Sequence, residues 1–182
     1  MIIAITGTPG TGKTSVGNIL REKGFSVIDF NKLAEEKDFI KGFDKKRQSK
    51  IVDIKKVDNY IKNHFKEDEL IFIDGHLSHL IKCVDYVILL RRHPKKLIEN
   101  LQNKSWSKDK IKENIEAEIL DIILCEVIDL HGQDSIFEID TTEKTVKDVV
   151  LIILELIKQD FQYIKNYKIG SIDWSEEIFK DY

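Results

Sequence analysis

Gly7-Thr8-Pro9-Gly10-Thr11-Gly12-Lys13-Thr14 fits the pattern G-x-x-x-x-G-K-[ST] at every fixed position and follows the apolar run Ile2 to Ile5. An apolar strand, a glycine-rich turn and a helix pattern in that order make a phosphate-binding loop. Gly10 and Gly12 let backbone N–H groups turn inward around phosphate oxygens. Lys13 brings a mobile cation to the β and γ phosphates, and the Thr14 hydroxyl is the expected Mg²⁺ ligand. The positive end of the helix that starts there adds to the attraction.

Outward from the loop, Val16, Ile19 and Leu20 recur at helical spacing, and Gly24 follows as a C-cap candidate. Phe25 to Ile28 reads as a strand ending at Asp29, and Asn31 as the cap of a second helix carrying Leu33 and Ala34. Residues 38–53 lose periodicity and are expected to form a mobile excursion. Its basic run Lys45-Lys46-Arg47 reads first as a solvated face. An excursion after the second strand is also a place to hold a second substrate.

A helix from Ile54 to Phe65 leads into Leu70-Ile71-Phe72-Ile73-Asp74. Four apolar residues ending in a carboxylate have the form of a Walker B strand, buried on both faces and delivering an acid that orients Mg²⁺. His76 then falls where an imidazole positions or deprotonates an attacking water, or is simply a polar residue at a strand end. A metal pair with His79 is the weakest alternative, because no further ligand has suitable spacing.

Tyr86 to Leu90 reads as another strand, and Pro94 opens a helix through Leu97, Ile98 and Leu101. Ser107 is a plausible N-cap for one long helix carrying Ile111, Ile115, Ile119, Ile122, Ile123 and Val127. Trp106, in the polar connection before it, suits either a nucleotide-packing side chain or a satellite core contact. Ser135 to Ile139 is a fifth strand, and Thr141 or Thr142 is expected to cap the last helix. The sum is α/β: a five-stranded parallel sheet with helices on both faces, binding ligands at the carboxyl ends of its strands.

The 182 residues suit one domain. A net charge of −3 excludes a general basic footprint for nucleic acid, so any RNA contact is expected to be local or to run through a protein partner. Cys83 and Cys125 sit in apolar patterns without ligand spacing and read as buried thiols. No stretch approaches the length of a membrane span and no leader is evident, so a cytoplasmic protein without membrane attachment is expected. A GTPase switch is disfavoured: Asn103-Lys104-Ser105-Trp106 is the nearest match to N-K-x-D and lacks the Asp.

Gly7 to Thr14, Phe43-Asp44 with Arg47 and Asp53, Asp74-Gly75-His76-Leu77-Ser78-His79, Asp85 to Pro94, Glu113 to Ile119 and Ile172-Asp173-Trp174 together resemble the adenylate kinase isoenzyme 6 family of archaea and eukaryotes. The resemblance implies the P-loop nucleoside monophosphate kinase fold. It also implies a monophosphate-binding segment near residues 30–53 and a short lid near residues 103–113. The implied activity is reversible transfer from ATP to AMP with a separate ATPase activity. The implied role is small-subunit ribosome maturation through a platform ribosomal protein. Gly10, Gly12, Lys13, Thr14 and Ser15 carry over as nucleotide ligands, and Asp74 and His76 as the residues for Mg²⁺ and water. Relatives often show Arg where this chain has Asn100 and Lys104, and some where it has Glu35. Lys104 gives phosphate a compact charge rather than a bidentate fork. Arg91, Arg92 and Arg47 are the candidates to compensate.

Overall fold

In the computed structural model, which describes residues 1–45, 47, 49–65, 69–104, 106–162 and 165–180, the apolar run at the start of the chain is β1 (Ile2–Thr6), the centre of a parallel sheet. α1 (Lys13–Glu22) leads to β2 (Ser26–Asp29), α2 (Phe30–Glu36), β3 (Ile40–Asp44), β4 (Ser49–Val52) and α3 (Ile54–His64). β5 (Ile71–Asp74), β6 (Tyr86–Arg91), α4 (Pro94–Gln102), α5 (Lys108–Ile119), α6 (Ile122–Leu130), β7 (Ile136–Asp140) and α7 (Val146–Lys158) complete the order. The sheet runs β2-β5-β1-β6-β7, every pair parallel. β1 is flanked by β5 and β6, strands reached later from opposite sides. The crevice of such a reversal opens at the carboxyl ends, where β1 delivers Gly7.

Both faces of the sheet are covered, which is why its strands read as continuous apolar runs. Ile3, Ile5, Phe72 and Ile88 pack with Val16 and Leu20 of α1 and Val150 and Ile153 of α7. Their neighbours Ala4, Ile73 and Val87 point the other way, onto Phe30 and Leu33 of α2, Val57 and Ile61 of α3, and Val127 of α6. A satellite core of Leu97, Leu101, Ile115 and Ile119 joins α4 to α5, with Trp106 packed against it.

Several boundaries differ from the sequence expectation for identifiable reasons. Asp29, not Asn31, caps α2, accepting from the Lys32 N–H. Thr145, not Thr141 or Thr142, caps α7 in a reciprocal capping box with Asp148. Residues 38–53 hold an antiparallel hairpin, β3 with β4. The expected long helix is broken: Asp121 adopts φ 55 between α5 and α6. Apolar spacing continues through that break, so periodicity could not show it. Cys125 is exposed and Cys83 half-buried, against the expectation that both thiols lie in the core. Lys46 of the basic run and Ser105 of the 103–113 segment lie outside the described residues. No helix among the described residues is long and apolar enough to cross a membrane.

Arg91 explains the break. It ends β6 fully buried, donating from Nε to Glu118 Oε1 (2.8 Å), from Nη1 to Glu138 Oε1 (2.8 Å) and from Nη2 to the Glu118 carbonyl (3.1 Å) and the Asp121 carboxylate. Burial opposes its charge, but Glu118, Asp121 and Glu138 together hold its pKa above the ordinary value. Asp121 leaves the helical path to reach it. Arg91→Met should therefore cost about 3–5 kcal/mol in urea unfolding, because it leaves buried carboxylates without their counter-charge. A loss below about 1 kcal/mol would contradict this.

Candidate active site

Gly12 stands at φ 101 as the N-cap of α1, a left-handed backbone that glycine adopts without penalty and that turns the loop into the helix. Lys13 follows, only 8% exposed, with Nζ donating to the carbonyls of Gly7 (2.7 Å) and Thr8 (3.0 Å). Burial lowers its pKa to about 8, with Asp74 and Glu118 pulling upward and Lys104 adding to the fall. Asp74 ends β5 beside it, almost fully buried. Burial raises the Asp74 pKa, Lys13 opposes the rise, and Asp29 adds to it. The carboxylate fits there because α1 offers a glycine: a Cβ on Gly17 would lie 3.2 Å from Asp74 Oδ2.

His76 lies on the cleft side of the turn after β5, and its ring makes no hydrogen bond among the described residues. Burial, then the charges of Lys13, His79 and Lys110, push its pKa down to about 4. The ring is neutral at pH 7. His79 points elsewhere. Fully buried, it sets Nδ1 2.8 Å from Thr6 Oγ1 and Nε2 3.0 Å from Glu126 Oε2, and its carbonyl lies 2.6 Å from His131 Nε2. A carboxylate oxygen accepts from Nε2–H, leaving Nδ1 of the neutral ring to accept the Thr6 hydroxyl. Burial lowers its pKa against the pull of Glu126. Both ring nitrogens are thus engaged, and no three His, Cys, Asp or Glu side chains form a metal-holding group among the described residues.

These groups form the floor of one cleft of about 920 Å³. Gly10, Gly12, Lys13, Thr14, Ser15, Asp74 and His76 all line it. One wall is built by Asn31 and Glu35 of α2 with Arg47, Ser49 and Lys50 of the hairpin, and the facing wall by Asn100, Lys104, Trp106, Lys110 and Glu113. Arg47 Nε spans the gap to Glu113 Oε1 at 3.0 Å, and Lys50 pairs with Glu35 at 2.8 Å. Lys104 and Lys110 lie over the Trp106 ring at 5.4 and 4.4 Å, so this indole both packs on the satellite core and faces the cleft.

Of the three arginines proposed to compensate for missing cations, only Arg47 reaches the cleft. Arg91 is locked in the core, and Arg92 Nη1 donates to the Thr141 carbonyl. Asn100 uses its amide on the Gly10 carbonyl at 2.8 Å, bracing the loop rather than offering charge. Sequence reasoning missed Thr8, Glu118, Glu126 and Lys110. Thr8 occupies a variable motif position. Glu118 lay inside a quoted stretch without any signal for its role.

The oxygen donors of Thr14 and Asp74 both line the cleft and suit a hard divalent cation.

A family model described as "AAA domain" matches residues 3–121. A protein named "Putative adenylate kinase" from Archaeoglobus fulgidus is 40% identical over 178 residues, 98% of this chain and 94% of that protein. A protein of the same name from Pyrococcus abyssi is 41% identical over 97% of this chain and 92% of its own length. Among solved structures, shikimate kinase from Acinetobacter baumannii superposes with TM-score 0.61 at 20% identity, covering 89% of this chain and 95% of its own. Thymidylate kinase from Candida albicans gives 0.58 at 15%, covering 88% and 92%. The fold is that of the P-loop kinases.

Because Lys13 must be protonated to meet phosphate, ATP affinity of the free protein should hold below pH 8 and fall as the pH rises through about 8. Calorimetric titration from pH 6.5 to 9.5 checks this. An affinity flat to pH 9.5 would place the ammonium elsewhere.

Proposed function

The chain belongs to the adenylate-kinase-like family of P-loop proteins, and on that footing we propose that it transfers the γ-phosphoryl of ATP to AMP, giving two ADP. The observation that carries this reading is the single cleft: a phosphate loop at its floor between two walls, each bearing cations. One floor serves two nucleotides. Residues 103–113 act as the lid over the donor, and residues 30–53 as the acceptor segment. Roles then follow from position. Backbone N–H groups of the loop, with Gly10, Gly12 and Ser15, hold the donor phosphates. Lys13 moves its ammonium from the Gly7 and Thr8 carbonyls to the transferring group. Thr14 and Asp74 would hold Mg²⁺, which would supply charge neutralisation at the phosphates. Lys104 meets the donor, while Arg47 and Lys50 exchange Glu113 and Glu35 for acceptor phosphate. Closure of the two walls keeps water from competing with AMP.

A second reading rests on His76. A neutral, half-buried imidazole beside Lys13 accepts a hydrogen bond from water, which supports an ATPase activity when no acceptor is present. We further propose that this activity serves small ribosomal subunit maturation, with a platform ribosomal protein as partner and rRNA engaged only through it. The exposed Phe43 and Ile51 of the hairpin support a protein contact beside the acceptor wall.

Separate measurement of ADP and inorganic phosphate, with and without AMP, tests both. AMP should raise ADP output, with two ADP formed per ATP consumed. His76→Ala should lower phosphate release about 100-fold while leaving transfer to AMP within a few-fold. ADP output indifferent to AMP would end the kinase reading. Wild-type hydrolysis by the His76→Ala protein would remove His76 from the chemistry, and failure to capture a small-subunit ribosomal protein in every nucleotide state would end the assembly role.

A further inference from the structure

Glu118 is 3% exposed on α5 and collects donors from three distant parts of the chain. Its Oε2 accepts from Thr8 Oγ1 at 2.5 Å. Its Oε1 accepts from Arg91 Nε at 2.8 Å, from the Arg92 backbone N–H at 3.1 Å and from Trp174 Nε1 at 3.4 Å. One carboxylate therefore joins the phosphate loop, the end of β6 and the C-terminal stretch.

Each end of this junction has a distinct mechanical character. At the loop, the Thr8 carbonyl receives Lys13 Nζ (3.0 Å) and Thr11 Oγ1 (2.9 Å). A triphosphate that draws the ammonium away takes one of those donors from Thr8, whose hydroxyl is the group on Glu118. At the far end, Trp174 meets the edge of the His93 ring, with centroids 4.9 Å apart, and the Gly170 N–H caps Glu138 at 2.6 Å. The Arg91 bond to Glu118 is short and buried and the Arg92 backbone bond is part-buried at 3.1 Å, whereas the Trp174 bond is the longest of the four. By distance the Trp174 bond is the weakest of the four.

We propose that Glu118 is a positioning residue that couples the seating of the C-terminal stretch around Trp174 to the state of the phosphate loop at Thr8, so that nucleotide binding and docking of that stretch influence one another. Coupling of this kind is reciprocal: what loosens Trp174 on ATP binding must weaken or strengthen ATP when Trp174 is altered. The proposal rests on the loop being the triphosphate site.

The test uses the full chain labelled with 5-fluorotryptophan. The sequence holds two tryptophans, Trp106 and Trp174, so the ¹⁹F spectrum is simple and the Trp174 resonance is assigned by its loss in Trp174→Phe. Saturating ATP with Mg²⁺ should shift or broaden that resonance. Thr8→Ala should silence the response at saturating ATP and Thr8→Ser should restore it. Trp174→Phe should change ATP affinity at least three-fold, with no further change when combined with Thr8→Ala. A Trp174 resonance unmoved at calorimetrically verified saturation would overturn the coupling while leaving the nucleotide site intact. Effects of Trp174→Phe and Thr8→Ala that multiply would overturn it equally. Calorimetry showing no ATP binding to the wild-type chain would bring down the nucleotide site itself, and this proposal with it.

Discussion

A lysine ammonium buried at the carboxyl edge of a parallel sheet is the constraint on which this molecule depends. Taking that charge out of water is unfavourable, as the fall of the Lys13 pKa to about 8 records, and it is tolerated only among acceptors held in place. The carbonyls of Gly7 and Thr8 supply two of them. Asp74 supplies opposite charge from the neighbouring strand, and the lack of a side chain on Gly17 gives it room. Strand order puts β5 beside β1, so the acid and the loop meet without any long connection reaching across the sheet.

Around that centre the protein keeps two electrostatic regimes apart. Behind the loop, Arg91 is shared among Glu118, Asp121 and Glu138, a buried network that joins α5, α6 and β7. In front, the cleft walls carry cations that are either paired with exposed carboxylates, as with Arg47 and Lys50, or laid over Trp106, as with Lys104 and Lys110. Exposed pairs cost little to exchange. The wall pairs are therefore the exchangeable ones, as the proposed phosphate contacts require, whereas the hub behind the loop is buried with its partners. His76 stays neutral on the cleft side, and Glu118 touches both, through Thr8 on one side and Arg91 on the other.

The sheet and the floor of the cleft were legible in the sequence because both follow from local signals. The loop motif fixes its own backbone, and doubly buried strands announce themselves as the runs Ile2 to Ile5 and Ile71 to Ile73. What was not legible depends on contacts distant in sequence. Asp121 breaks a helix whose apolar spacing never falters, because its partner Arg91 lies thirty residues away. Arg91 and Arg92 looked like spare cations for phosphate, and only the tertiary structure shows where they are spent. Asn100 looked like a lost charge and proves to brace Gly10. The caps at Asp29 and Thr145 lost out in the sequence to nearby residues of equal propensity, a choice that backbone direction settles.

In the proposed reaction donor and acceptor occupy one cleft, with phosphates meeting over Lys13. Titration with diadenosine pentaphosphate, in which two adenosines are joined by a chain of phosphates, tests it most directly. One molecule should bind per chain, about 100-fold more tightly than ATP because both subsites are engaged at once, and either ATP or AMP should displace it. Binding no tighter than ATP alone, or two molecules per chain with AMP unable to compete, would rule out a shared cleft.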